Sequence, residues 1–154
     1  MKEVLIFGDS TARIFSLINN AKVKIFKGKS ISGIIKNNDQ EKKIMIEIIK
    51  KNQNFKCILF WFGLVDIHFV YYYNLINNNK KINFDQLIEK YVFFISNIKT
   101  KSKKIIISPI PNPWKDILKG LQYYGVYKKL DHNKLNNDIL SKYFTKKILE
   151  KNHD

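Results

Sequence analysis

The stretch Val4-Leu5-Ile6-Phe7-Gly8-Asp9-Ser10 decides how the rest of this chain is read. Four consecutive apolar residues without polar alternation fit a strand covered on both faces. Gly8-Asp9-Ser10 then breaks the run, and Asp and Ser are residue types that cap a helix start. Thr11 to Ile18 can follow as a helix, with Ile14, Leu17 and Ile18 at helical spacing. The pattern of apolar run and stop recurs twice. Cys57 to Phe62 ends at Gly63, and Lys104 to Ile107 ends in Ser108-Pro109-Ile110-Pro111-Asn112-Pro113.

Helical patterns lie between these runs. Lys22 to Phe26 alternates around Val23 and Ile25 and predicts a second, more exposed strand, and Gly28 to Gly33 reads as a loop. Glu41 to Lys51 carries Ile44, Met45, Ile48 and Ile49 on one helical face. Residues 66–82 form a long connection rich in aromatics and Asn. Asn83-Phe84-Asp85-Gln86 resembles a capping box with Asn as the cap. After it, Leu87, Ile88, Tyr91, Val92, Ile95 and Ile98 follow a 3.6-residue period. Leu135, Ile139, Leu140, Tyr143, Phe144 and Ile148 mark an amphipathic helix near the end. Strands alternating with helices predict βαβ units and a parallel sheet. No repeat or linker divides residues 1–154, so a single domain is expected.

Composition narrows the function classes. The formal charge of +15 suggests a nucleic-acid partner. Of the 28 basic residues, however, only Arg13 is arginine, and the lysines run the length of the chain. Base and phosphate recognition favours the planar fork of arginine. Lys, Asn and Ile together make up about 45% of the residues, as AT-rich coding would produce. The expectation is a solvated basic surface and no nucleic-acid partner. Cys57 is the single cysteine and reads as a small buried hydrophobe. Zinc-ligand spacing is absent, and no metal or cofactor is expected. The apolar N-terminal run is too short for a signal h-region or a membrane span. A cytoplasmic protein without a membrane partner is the expectation, and the oligomeric state is left open.

In parallel α/β sheets, ligands bind beyond the carboxyl ends of the strands. Asp9-Ser10, Gly63 to Asp66 and Ser108 to Asn112 all fall at such ends. A serine there, opening a helix, is a sound nucleophile position, because the helix N-terminus favours developing negative charge. Its plainer role is that Asp9 or Ser10 caps the helix. His68 follows Asp66 by two residues at the same edge and can be a base or a loop residue. Asp131-His132 are adjacent and so rarely face one another on a helix. His153 lies beside the end of the sequence. Tyr71, Tyr72 and Tyr73 can stack on a sugar or pack beneath their loop. Trp61 reads as core, and Trp114 as a pocket rim or a loop pin.

The order of these segments resembles the SGNH/GDSL hydrolase superfamily over roughly residues 1–113. Gly8-Asp9-Ser10 matches its first block, which supplies the nucleophile. Gly33, in Phe26-Lys27-Gly28-Lys29-Ser30-Ile31-Ser32-Gly33, stands where the second block places an oxyanion-hole glycine. Phe62-Gly63-Leu64-Val65-Asp66 stands where the third has Gly-x-Asn-Asp. The resemblance implies a three-layer α/β/α sandwich around a flavodoxin-like, SGNH-type parallel sheet of four or five strands. It also implies a serine esterase or acyltransferase acting on an acyl ester such as an acetylated sugar, with no cofactor. Gly33 and Gly63 would then serve the oxyanion site. Two departures weaken the catalytic expectation. Val65 occupies the position of an Asn donor. The closing Asp-x-x-His block, in which His activates the serine, is either Asp131-His132-Asn133-Lys134, with Lys134 at the histidine position, or missing. The alternative is therefore a catalytically incomplete module that binds a ligand such as a glycan.

Overall fold

The computed structural model describes residues 3–71, 73, 74, 78 and 80–109. Strand β1 (Val4–Gly8) leads into a 3-10 helix (Ser10–Leu17) and then β2 (Ala21–Ile25). A short helix α1 (Ile31–Ile34) and helix α2 (Gln40–Lys51) precede β3 (Cys57–Trp61). A π-helical turn (Asp66–Val70), helix α3 (Phe84–Ser96) and β4 (Lys103–Ile107) complete the described order. Among the described residues all strand pairs are parallel, and the sheet order is β2-β1-β3-β4. This is the α/β fold that the apolar runs predict.

The strand order fixes where a ligand would sit. The chain steps from β1 to β2 on one side, then crosses back past β1 to place β3 on the other. The gap between β1 and β3 is thus the switch point of the sheet, the place where ligands bind in open α/β folds. Gly8 pairs with Trp61 in the last rung there.

Strand alternation divides the side chains between two faces. Leu5, Phe7, Ile58 and Phe60 are fully buried in one core with Met45 and Ile49 of α2 and Leu87, Ile88, Tyr91 and Ile95 of α3. Ile31 and Ile34 of α1 join the same core. The 3-10 helix approaches the other face, where the Phe15 ring meets Trp61 edge-on at 4.7 Å.

Several expectations are corrected in detail. The segment after Gly8-Asp9 is a 3-10 helix, and Ile14, Leu17 and Ile18 are exposed rather than packed. At three residues per turn, Ala12 and Phe15 share the inward ridge while Ile14 and Leu17 share the outward one. The loop expected over Gly28 to Gly33 gives way to α1 from Ile31, because Ser30 caps it. The long connection starts as a π-helical turn with buried Asp66, Ile67 and His68. Strand β4 is half-buried along most of its length rather than fully buried, and Cys57 is half-buried as well. Trp61 is core, as expected, at 8% exposure. Tyr71 packs beneath its loop, with its ring stacked on Phe84 at 5.6 Å.

Candidate functional site

The site is built from three strand exits joined by backbone bonds. Phe26 N–H donates to the Gly8 carbonyl at 2.8 Å, linking the ends of β2 and β1. Asp9 N–H donates to the Trp61 carbonyl at 3.2 Å, linking β1 to β3. Gly8 is required by space: a Cβ there would lie 2.6 Å from the Ala12 Cβ and 2.7 Å from the Trp61 carbonyl oxygen. Gly63 is required by conformation, since its φ of 116° is a backbone shape that side chains exclude.

Asp9 caps the 3-10 helix. Its Oδ1 accepts from the Thr11 N–H at 2.9 Å and from the Thr11 hydroxyl at 2.6 Å. The Trp61 indole N–H in turn donates to the Thr11 Oγ at 2.9 Å. The second carboxylate oxygen of Asp9 is buried without a partner among the described residues. Burial raises the Asp9 pKa above its ordinary value, against the Thr11 bonds that lower it. Because Asp9 is the cap, Ser10 is released from that duty. Ser10 is exposed, and its hydroxyl has no hydrogen-bond partner among the described residues.

Asp66 is a clamp rather than a partner of His68. Its fully buried carboxylate accepts from the Ile31 N–H at 2.5 Å, the Ser32 N–H at 3.0 Å and the Ser32 hydroxyl at 2.9 Å. Two free N–H groups at the start of α1 are thereby satisfied by a residue on the β3 exit. Ser32 gives its proton to Asp66, so the 3.0 Å contact between Ser30 and Ser32 runs from the Ser30 hydroxyl to the Ser32 oxygen. Ser30 Oγ meanwhile accepts from the Gly33 N–H at 3.0 Å. Desolvation raises the Asp66 pKa to about 6, despite the opposing bonds from Ser32 and Ile31.

His68 is 7% exposed, and burial holds its pKa down at about 4. The ring is therefore neutral at physiological pH and meets Phe69 edge-on at 6.4 Å. It has no hydrogen-bond partner among the described residues. Tyr91 lies buried with a hydroxyl that has no partner among the described residues, and burial, then the Asp66 and Asp9 carboxylates, push its pKa well above the usual value.

The carboxyl edge thus carries Asp9, Ser10, Gly63 and Asp66, with His68 on the turn that follows, and Asp66 ties to it the start of α1, the helix that contains Gly33. Asp131, His132, His153, Tyr72, Trp114 and the C-terminal amphipathic helix lie outside the described residues. Sequence reasoning missed the clamp on α1. Its only sequence signal is Ser30, three residues before Gly33, which is the spacing of a helix cap. The bond from Asp66 across more than thirty positions has no local signature. Among the described residues, no group of three or more His, Cys, Asp or Glu side chains could hold a metal ion, and no helix is long and apolar enough to cross a membrane.

In comparison with known proteins, the chain matches no family model, no curated protein and no solved structure.

Proposed function

We propose that this chain is an SGNH/GDSL-like serine esterase or acyltransferase, built as a three-layer sandwich and acting on an acyl ester such as an acetylated sugar. One observation carries the reading. Ser10 stands exposed at the switch point of a parallel sheet, with the capping duty taken by Asp9. Ser10 Oγ attacks the acyl carbonyl, and its proton passes to a base. The alcohol departs with that proton, and water or a second alcohol then releases the acyl group from Ser10. His68 is the candidate base among the described residues, being neutral and so able to accept a proton. Its low pKa makes it a weak base, so slow turnover is expected.

A second reading, a non-catalytic module that binds a glycan or a similar ligand, has its own support. Val65 offers no side-chain donor, and the Gly33 N–H is directed to Ser30 Oγ. The loss of one oxyanion donor costs about 2.7–4 kcal/mol in related chemistry.

Hydrolysis of p-nitrophenyl acetate separates the two. The hydrolase reading predicts weak turnover that disappears in Ser10→Ala and falls at least about tenfold in His68→Ala. Should His132→Ala abolish the rate and His68→Ala leave it intact, the base is His132. Equal rates for wild type and Ser10→Ala would sink the hydrolase reading in favour of the binding module.

A further inference from the structure

Helices α2 and α3 leave an open groove between them of about 740 Å³, lined by neither Ser10 nor Asp66. Its floor is apolar, formed by Ile46 and Ile49 of α2, Phe93 and Phe94 of α3, and Ile98 just beyond α3. Phe93 is unusual on its helix. It is 71% exposed on a helix whose other large apolar residues are buried or half-buried. An aromatic ring held in water beside a concave apolar floor is the arrangement of an anchor awaiting a partner.

The rim is cationic. Lys42, Lys50, Lys90 and Lys99 surround the floor. The Lys42 ammonium lies over the Phe94 ring at 4.8 Å from its centre, and none of the four forms an ion pair among the described residues. Elsewhere on α2 and its approach the acids are already matched: Glu47 pairs with Lys51, and Glu41 and Asp39 with Lys29. The groove therefore presents uncompensated positive charge around an apolar slot.

We propose that the α2–α3 groove docks an acidic amphipathic helix of a partner protein, with Leu- or Phe-type anchors on the floor and Asp or Glu side chains against the lysine rim. Charge selects this occupant. A second copy of the chain carries +15. Residues 110–154 of the chain itself hold nine Lys against five Asp and Glu. Like charges facing one another oppose both of these as occupants. The aliphatic share of the floor, with Arg13 absent from the groove, favours apolar anchors over stacked bases. The proposal is independent of the Ser10 chemistry.

The test uses the full chain and a short synthetic helix with Leu at every third and fourth position and Glu elsewhere. In an NMR titration, amide shifts should be confined to α2, α3 and the Ile98–Lys99 segment, and should weaken with added salt. Phe93→Ala should weaken binding about tenfold, as should Lys90→Glu with Lys42→Glu, with circular dichroism unchanged because these side chains are exposed or half-buried. A helix with Lys in place of Glu should not bind. Failure of the acidic helix to bind would overturn the proposal, as would unchanged affinity in the variants. It would equally be overturned if a single-stranded oligonucleotide or an anionic vesicle took the groove in preference to the helix.

Discussion

Residue-scale requirements are sharpest where the backbone of one element touches another. At Gly8 the last rung of β1 lies against both the 3-10 helix and the Trp61 carbonyl, and both of its close neighbours would be hit by a methyl group. Ala12 is itself fully buried, and the Trp61 carbonyl is tied to the Asp9 N–H, so neither can yield freely. Gly8→Ala is therefore expected to destabilise by about 1–3 kcal/mol, the usual cost of overpacking. Urea denaturation measures this, and an unchanged midpoint would show that the 3-10 helix shifts without cost. Gly8 and Ser10 illustrate two kinds of legibility. The glycine, the capping acid and the serine all stand in the local sequence. Which of Asp9 and Ser10 serves as the cap does not, because both residue types are favoured at a helix start. The tertiary placement of Trp61, whose indole binds Thr11 and thereby orders the Asp9–Thr11 pair, accompanies the assignment of the cap to Asp9.

Among the elements, the helices divide by how they are held. Helix α3 carries its own signal: Asn83 Oδ1 accepts from the Gln86 N–H at 3.1 Å, as the cap spacing predicts. Asn83→Ala should cost about 1 kcal/mol or less, since the cap is exposed. Helix α1 has only four residues and depends on Asp66 for two of its free N–H groups. Asp66→Ala leaves the buried Ile31 N–H unpaired, and a loss on the order of 3 kcal/mol is expected. Hydrogen exchange at Ile31 and Ser32 should accelerate more than exchange in β1. Uniform acceleration across the sheet would show instead that Asp66 supports the whole fold. This dependence explains why Gly28 to Gly33 reads as a loop in sequence. A four-residue helix has too little periodicity to announce itself, and its partner lies more than thirty residues away.

For the whole molecule, Asp66 and His68 set opposing responses to pH. The folded-state pKa of Asp66 is raised from 3.8 to about 6. Its stabilising contribution is thus fully present below 3.8 and is lost as pH rises through 6. The folded-state pKa of His68 is lowered from 6.5 to about 4, so its contribution is present above 6.5 and is lost as pH falls towards 4. By pH 5 each amounts to roughly 1–2 kcal/mol, with opposite sign. Wild-type stability should change little between pH 7.5 and 5 on account of this pair. His68→Gln removes only the acid-labile half, so its stability relative to wild type should be higher at pH 5 than at pH 7.5. Chemical denaturation at the two values decides the matter, and an identical difference at both would refute the assignment.

The sequence by itself determined the strand runs, the apolar faces of α2 and α3, the parallel α/β class and the presence of Asp9-Ser10 at a strand end. These are records of local burial, written in the spacing of apolar residues, and spacing survives in one dimension. Helical spacing misled at Ile14, Leu17 and Ile18, because a 3-10 helix repeats every three residues and turns Ala12 and Phe15 inward instead. Only the tertiary structure decided the order β2-β1-β3-β4, the clamp of Asp66 on α1, a Ser10 hydroxyl without a partner among the described residues, and the lysine-rimmed groove between α2 and α3. Each depends on which distant segment passes alongside. A carboxylate or an ammonium has no preferred partner until the chain has brought one within hydrogen-bond reach, and no local period encodes that meeting.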